Sequence, residues 1–212
     1  MNRVVELHCR CGEVRGHVTD ASPRTVTRAV CFCDDCQAYL HHLGRSDLLD
    51  AHGGTDIVQV APAMITFDRG WERIVGLRLK PKGLYRWYAS CCKTPLGNTL
   101  GPAVPFVGIV AQAFEGPDTR PDDVFGQPLG KMMGKYAVGG APEGSTKVDW
   151  RLIARAFRNV LGWRLRGKTW PHPFFDRATR APIRPITTLT RAERDALRPL
   201  CGPLPAASMA PQ

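Results

Sequence analysis

The residues of this chain that can do chemistry are first of all its cysteines, which are grouped rather than scattered. Seven of the eight lie in three clusters, and these are Cys9 and Cys11; Cys31, Cys33 and Cys36; and Cys91 with Cys92. Thiolates are preferred ligands of zinc, and close spacing lets several of them converge on one ion. The middle cluster supplies three thiolates within six residues. It is one ligand short of a closed tetrahedron, which is typical of a zinc site with an open position.

The spacing of the middle cluster also indicates what chemistry such a site would favour. Cys33-x-x-Cys36 has the spacing of a zinc turn. Three thiolates leave a position for water, a substrate thiol or a distant fourth residue, and their negative charge weakens the ion as a Lewis acid. The site therefore suits a soft sulfur substrate better than hydrolysis. Asp34 and Asp35 lie inside the loop and are expected to solvate it rather than to bind the metal.

The cysteines are expected to be reduced thiols rather than disulfides. The first residues contain no apolar signal-peptide region, which predicts a cytoplasmic location, where thiols stay reduced. No apolar run approaches the roughly 20 residues of a membrane span, so no transmembrane segment is expected. A chain of 212 residues suits one domain, or one domain with an extension.

The cysteine clusters are predicted to be held by short β-strands. Alternating and β-branched residues indicate strands over residues 13–18, 25–30, 57–60, 64–67, 73–79, 84–88 and 104–111. The fold class is therefore mainly β and mostly antiparallel, with the cysteines at turns or strand ends and a short helix over 36–49. Four regions are predicted, and these are a zinc-binding β domain (1–115), a Gly/Pro-rich loop region (116–145), a basic helical extension packed on the domain (146–202) and a disordered tail (203–212).

The extension carries most of the net charge of +10, because residues 147–200 have a balance of +9. Thr146 and Asp149 form a predicted capping pair for a helix, and Thr190 with Glu193 forms a second. Three interpretations of the first helix stay open. In the first, its apolar residues pack on the β domain while its arginines meet water. In the second, the helix contacts nucleic acid or an acidic partner. In the third, it is attracted to an anionic membrane. No motif indicates specific nucleic-acid binding.

The cysteine motifs and their neighbours resemble a known family. They are Cys-x-Cys-Gly-Glu-Val-Arg at 9–15, Cys-x-Cys-x-x-Cys-Gln at 31–37 and Arg-Trp-Tyr-Ala-Ser-Cys-Cys-Lys-Thr-Pro-Leu at 86–96. In order and spacing they resemble the glutathione-dependent formaldehyde-activating enzyme family, the CENP-V/GFA domain. The resemblance covers roughly residues 5–112 and indicates a GFA-like branch with a basic C-terminal extension.

This resemblance implies small antiparallel sheets around two zinc ions. Cys31, Cys33 and Cys36 would hold the ion near the substrate, while Cys9, Cys11 and Cys92 would belong to a structural site. The family's enzymes are carbon–sulfur lyases that join glutathione to formaldehyde as S-hydroxymethylglutathione. The resemblance therefore predicts a zinc-binding lyase acting on a glutathione or other thiol adduct of an aldehyde. The alternative is a non-catalytic zinc-stabilised module that docks an acidic partner through its basic helix.

The sequence departs from the family pattern at the late cysteine pair, which should read Cys-x-x-Cys-Gly-Thr-Pro. Ala89 stands where the first of these cysteines belongs, and Cys92 fills the second position. Two alternatives follow. Either Cys91 is the fourth ligand through a rearranged turn, which is the favoured interpretation, or His8 or water completes a weaker site.

Other polar residues near the clusters are weaker candidates. His52 precedes a Gly-Gly turn and is a candidate for the open zinc position, with a surface histidine as the alternative. Lys80, Lys82 and Arg86 are candidates for binding the carboxylates of a glutathione-like substrate, with a solvated strand edge as the alternative.

Overall fold

A computed structural model describes residues 3–147 and 149–203. The helices and strands are β1 (Val5–His8), β2 (Arg15–Val18), β3 (Thr27–Cys31), α1 (Asp34–His42), β4 (Thr55–Val60), β5 (Ile65–Arg69), β6 (Ile74–Arg78), β7 (Tyr85–Ala89), β8 (Pro95–Thr99), β9 (Val107–Val110), α2 (Pro121–Phe125), β10 (Lys131–Met132), α3 (Trp150–Leu165), β11 (Ile186–Thr188) and α4 (Arg191–Ala196). The predicted mainly β fold class is confirmed at this level.

The strands form two sheets of unequal size. Strands β1, β2 and β5 make a three-stranded antiparallel sheet. The second sheet has eight strands in the order β10-β3-β4-β9-β8-β7-β6-β11. Its interior pairs are antiparallel, and the two outer strands, β10 and β11, run parallel to their neighbours. The sheet is larger than the small sheets predicted because chain segments beyond residue 115 supply both of its edges.

Strand ends carry the cysteines, as alternation and spacing predict. Cys31 is the last residue of β3, where it pairs with Thr55 of β4. The turn after β1 holds Cys9 and Cys11, and the turn after β7 holds Cys91 and Cys92. The sheets therefore fix three backbone segments, and the short connections leave their thiols at the sheet margins.

An aromatic cluster joins the C-terminal extension to the β domain. Trp87 is fully buried, and its ring stacks on Phe174 with centroids 4.7 Å apart and meets the edge of Phe175 at 5.6 Å. The indole N–H of Trp87 donates to Thr99 Oγ1 over 3.1 Å, so its one polar atom is satisfied inside the core. The extension therefore closes the hydrophobic core instead of lying on its outside.

His172, beside this cluster, is only 7% exposed, and burial lowers its pKa from 6.5 to about 4. Its Nδ1 accepts the N–H of Phe174. Between these pH values the unfolded chain binds the extra proton, so stability is lost as pH falls from about 6.5 towards 4. We expect His172→Asn to flatten the pH dependence of urea unfolding in that window, by at most about 3 kcal/mol at the acid end. The exposed His52→Asn is the control, and an unchanged slope in His172→Asn would contradict the prediction.

Helix α3 is capped and oriented differently from the prediction. The Asp149 side chain, not Thr146, caps it by accepting the N–H of Arg151 over 2.8 Å. Its buried residues are Leu152 and Trp163. The interpretation in which the apolar residues of this helix pack on the β domain is wrong in part, because three large ones face solvent, with exposed fractions of 55% for Ile153, 68% for Phe157 and 46% for Leu161. The inner face instead carries polar anchors, such as the Asn159 amide donating to Thr27 Oγ1 over 3.0 Å.

Smaller differences concern the remaining helices. Helix α1 starts earlier and ends sooner than the predicted 36–49, because Gly44 adopts a left-handed φ of 65° just beyond it. The predicted loop region contains α2 and β10. The capping box of Thr190 and Glu193 is confirmed at the start of α4. Apart from Pro203, the predicted disordered tail lies outside the described residues. None of the helices in the described chain has both the length and the apolar character needed to cross a membrane.

Candidate metal centres

The middle cluster lies where β3 meets α1. Cys31 ends the strand, Cys33 is the N-cap of the helix and Cys36 lies in its first turn. The Cys33 sulfur accepts the N–H of Cys36 over 3.3 Å. All three sulfurs lie within 4.8 Å of one another. The positive end of the helix dipole and this N–H···S bond both favour thiolates at this position.

The distances suit a common metal ion. Tetrahedral coordination with metal–sulfur bonds of about 2.3 Å places neighbouring sulfurs about 3.8 Å apart. The three thiols therefore need adjustments of about 1 Å at most to contact one ion. Hydrogen bonds from Cys31 and Cys33, and then the charge of Arg86, hold the pKa of the Cys36 thiol well below its usual range.

Arg86 on β7 provides the strongest electrostatic evidence for an anionic cluster. It is 2% exposed, and its Nη1 lies 3.9 Å from the Cys36 sulfur and 3.3 Å from Asn98 Oδ1. The guanidinium also lies over the Tyr39 ring, 4.9 Å from its centroid. Within the described part of the chain, no carboxylate forms a salt bridge with Arg86. A buried cation needs a compensating anion, and a divalent ion with three thiolates carries one negative charge.

A cavity of about 290 Å³ opens directly on this cluster. The lining residues are Thr27, Ala29, Cys31, Cys33, Cys36, Ile57, Gln59, Leu84, Asn98, Phe106, Gly108, Met132, Leu152 and Ala156. They come from the eight-stranded sheet, the turns around it and the inner face of α3. No Lys, Arg, Asp, Glu or His occurs among these lining residues of the described chain. The three thiols are therefore accessible from a pocket with nearly apolar walls.

The C-terminal extension also holds the start of α1 in place. Arg194 of α4 donates to Asp34 and Asp35 over 3.0 Å each, and Lys80 pairs with Asp35 at 3.2 Å. Both carboxylates are ion-paired with basic side chains, and neither is among the gathered ligand atoms of the described chain. The backbone N–H of Gly202 donates to Gln37 Oε1, which adds a second contact between the extension and α1.

The outer cluster combines the turn after β1 with the turn after β7. The sulfur of Cys9 lies 3.5 Å from that of Cys11 and 3.8 Å from that of Cys91, and the Cys11 and Cys91 sulfurs are 3.4 Å apart. Cys92 completes a group of four whose sulfurs all lie within 4.8 Å of one another. These separations resemble the edges of a tetrahedral tetrathiolate site.

The tight turn after β7 explains how the departure at Ala89 is accommodated. Ala89 is fully buried in β7 and exchanges backbone hydrogen bonds with Thr94 and Lys93. Lys93 has a positive φ of 58° in this turn, and the Cys91 sulfur lies 3.8 Å from that of Cys9. The His8 ring instead lies 3.3 Å from the Cys9 carbonyl and is not among the gathered ligand atoms of the described residues. The geometry thus places Cys91, rather than His8, beside the other three sulfurs.

Hydrogen bonds surround the Cys92 thiol in this outer group. Burial raises the pKa of its thiol, but hydrogen bonds from the Thr94 hydroxyl and the Cys11 backbone lower it more, to about 6. The Thr94 oxygen lies 3.1 Å from the Cys92 sulfur and also accepts the N–H of Arg10. A thiolate is therefore favoured at Cys92 before any metal binds.

Cys91→Ser is expected to remove one metal ion per chain and at least about 3 kcal/mol of unfolding stability, because a metal present far above its Kd stabilises the native state. Metal analysis after gel filtration and urea unfolding measure the two effects. Ser90→Ala, in the same turn, is the control. Unchanged metal content in Cys91→Ser would assign the fourth position to another group.

The weaker sequence candidates do not reach the cavity. His52 is exposed, and its Nδ1 lies 3.1 Å from the Val138 carbonyl oxygen. Lys80 and Lys82 are exposed at the turn between β6 and β7. Arg86 is buried behind the thiols, so its interpretation as part of a solvated strand edge is wrong, and it is not one of the lining residues of the cavity in the described chain. Its role and the cavity were missed because they depend on the packing of distant strands.

Comparisons with known proteins give a family but no activity. A family model described as "Family of unknown function (DUF6151)" matches residues 1–185. No curated protein matches the chain significantly. A structural-genomics crystal structure of a Rhodobacter sphaeroides protein has 16% identity and a TM-score of 0.39, with 58% of this chain and 96% of that chain covered. That likeness is too low to define a shared fold.

Proposed function

The chain belongs to DUF6151, a family of unknown function, and we propose that it is a zinc-dependent, GFA-like carbon–sulfur lyase acting on a thiol adduct of an aldehyde. The single observation that carries this proposal is the group of three thiols at the wall of an accessible cavity. Three protein ligands and an accessible fourth position are the arrangement of a catalytic rather than a structural zinc site.

The proposed reaction is the reversible addition of a thiol to an aldehyde. The thiol sulfur forms a bond to the carbonyl carbon, the carbonyl π bond breaks, and the proton lost by the thiol ends on the carbonyl oxygen. The lyase direction breaks the same carbon–sulfur bond and returns the proton to sulfur. Neither direction needs an oxidant or a reductant. When bound, zinc would supply a soft Lewis-acidic position for the substrate sulfur or carbonyl oxygen.

The chain's own residues supply orientation and charge balance. Arg86 offsets the net negative charge of a trithiolate site from behind the cluster. Asn98, one of the lining residues, accepts a hydrogen bond from Arg86 at Oδ1, which connects the cavity wall to the buried guanidinium. The apolar lining keeps bulk water from competing with the thiol for the aldehyde carbon.

Exchange NMR of aldehyde–thiol mixtures tests the activity, because it measures adduct formation and breakdown at equilibrium. A panel of formaldehyde, acetaldehyde and hexanal with glutathione and simple alkanethiols covers the proposed class. We expect the zinc-loaded protein to accelerate exchange for at least one pair and Cys33→Ser to abolish the acceleration. Exchange rates unaffected by the protein throughout the panel would overturn the proposed activity.

The exposed face of α3 favours a second candidate function, a non-catalytic zinc-stabilised module that docks on an anionic bilayer surface. Five large apolar side chains on this helix are exposed, and these are Trp150, Ile153, Phe157, Leu161 and Leu165. The exposed arginines Arg151, Arg158 and Arg164 flank them. A basic polar face beside aromatic and aliphatic side chains is the pattern of interfacial helices. A second copy of this chain would bring like charges together, which disfavours self-association through the same face.

Vesicle co-sedimentation tests this second function. The protein is expected to pellet with phosphatidylserine-containing vesicles and not with phosphatidylcholine alone, and Phe157→Asp is expected to abolish pelleting. Trp71→Asp is the control, since Trp71 is also exposed but lies outside α3. Failure to pellet with anionic vesicles would contradict lipid docking and leave an acidic protein as the partner. Under a purely structural role of the metal, Cys31→Ser would unfold the protein instead of silencing it.

A further inference from the structure

We infer that the cavity at the middle cluster selects an aliphatic thiol or aldehyde with an alkyl chain of about six carbons or more over glutathione; this inference rests on the proposed function. The chemical class of the substrate follows from the volume of the cavity, from its apolar walls and from the absence of charged side chains among its lining residues in the described chain.

The volume and the walls fit an aliphatic chain. A cavity of roughly 150 Å³ lined by apolar side chains accepts a benzene-sized ligand, and this cavity is about 290 Å³. Ile57, Leu84 and Phe106 supply rigid apolar walls, and Met132 adds a flexible one. An alkyl chain whose sulfur lies at the thiol cluster would extend along these side chains.

Glutathione is poorly matched to the same walls. Its two carboxylates and its ammonium group would need partners, because burying an unpaired charge is costly. No charged side chain lines the cavity within residues 3–147 and 149–203. Of the three basic candidates named from the sequence, Lys80 pairs with Asp35, Arg86 lies behind Cys36, and Lys82 is exposed and does not belong to the cavity lining. Glutathione, or its adduct with an aldehyde, would therefore have to leave most of its polar groups outside the cavity.

Through helix α3, the C-terminal extension forms part of the cavity wall that would determine substrate specificity. Leu152 and Ala156, one turn apart on its inner face, close the cavity on the side away from the sheet. Asn159 fixes the helix position through its hydrogen bond to Thr27, which also lines the cavity. A larger side chain at position 156 would thus shorten the space for an alkyl chain without touching the thiols.

The test uses full-length protein with Co²⁺ in place of zinc, because the visible spectrum of Co²⁺ reports a new thiolate ligand without any turnover. Ethanethiol, butanethiol, hexanethiol and glutathione are the probes. We expect affinity to rise about four-fold per added methylene along the alkanethiols, until the cavity is filled. We also expect hexanethiol to bind at least 10-fold more tightly than glutathione.

Two variants of one helix sharpen the test. Ala156→Phe is expected to weaken hexanethiol at least 10-fold and to leave ethanethiol within about two-fold. Ala154→Phe, on the exposed face of α3, is the matched control and is expected to change neither affinity. Equal loss in both variants would show a general effect on the helix and contradict the assigned wall.

The outcomes separate this inference from the proposed function. Glutathione binding as tightly as hexanethiol, or affinity independent of alkyl length, would overturn the aliphatic specificity and leave the lyase proposal standing. No thiol-induced spectral change with any probe would show that the cluster offers no open position. That result would remove the proposed function together with this inference.

Discussion

Cys33→Ser is expected to lower the metal content by one ion per chain and to reduce adduct exchange by about 100-fold or more, since even outer-shell changes at metal sites cost 10–100-fold. The fold should survive, because the main core forms around Trp87 and Phe174, and Cys33 is only half-buried at the N-terminus of α1. The outer cluster keeps its own four thiols in this variant. The expected product is therefore a folded protein that has lost one of two ions.

Metal analysis, circular dichroism and exchange NMR on the same sample measure these effects. Cys201→Ser is the matched control, because Cys201 belongs to neither group of gathered thiols in the described chain. A Cys33→Ser protein that keeps its full metal content would contradict metal binding by the middle cluster. A variant that loses this metal but keeps its exchange activity would show that the middle cluster is not the site of the reaction.

Arg86→Met is expected to cost about 3–5 kcal/mol of unfolding stability in the metal-loaded protein, because it leaves a buried anionic cluster without its counter-charge. Metal affinity should fall by about 10–100-fold, as for other groups that tune metal ligands. The loss should be smaller after chelation, because Cys36 can take up a proton once the guanidinium is gone. Urea unfolding with and without metal gives both values and their difference.

Arg86→Lys is the control for charge, since it keeps a cation on the same strand and should retain more metal affinity than Arg86→Met. The sign of the result is informative. If the three thiols were neutral, Arg86 would itself be the unpaired buried charge, and its replacement by Met would stabilise the protein. Increased stability of Arg86→Met in the presence of metal would therefore contradict an anionic cluster.

Most of the β architecture could be predicted from alternation along the chain, but the outer strands β1, β10 and β11 and the central strand β8 could not. Strand β8 (Pro95–Thr99) lies between β7 and β9 and is buried at every position. Its sequence contains Pro, Gly and Asn, which are poor strand formers. Pairing with its two neighbours, rather than local propensity, determines its conformation, so the sequence pattern carries little signal for it.

The cysteine spacing predicted the middle group of thiols and the family resemblance implied the outer group, whereas the surroundings of both groups depend on tertiary contacts. Arg86 alternates with apolar residues in β7 and looked like a strand-edge cation, yet β6 and β8 flank it on both sides. Arg194 contacts Asp34 across 160 positions of sequence. The orientation of α3 was ambiguous because the helix carries apolar side chains on two faces, and only packing decides which face is covered.

Anomalous diffraction at the zinc edge from crystals of the zinc-loaded protein would show whether the middle cluster holds a metal ion with an open position. We expect two peaks per chain. One should lie within about 2.3 Å of the sulfurs of Cys31, Cys33 and Cys36, with its fourth position facing the cavity, and the other should lie among the four thiols of the outer cluster. No peak at the middle cluster, or a peak closed by a fourth protein side chain, would contradict it.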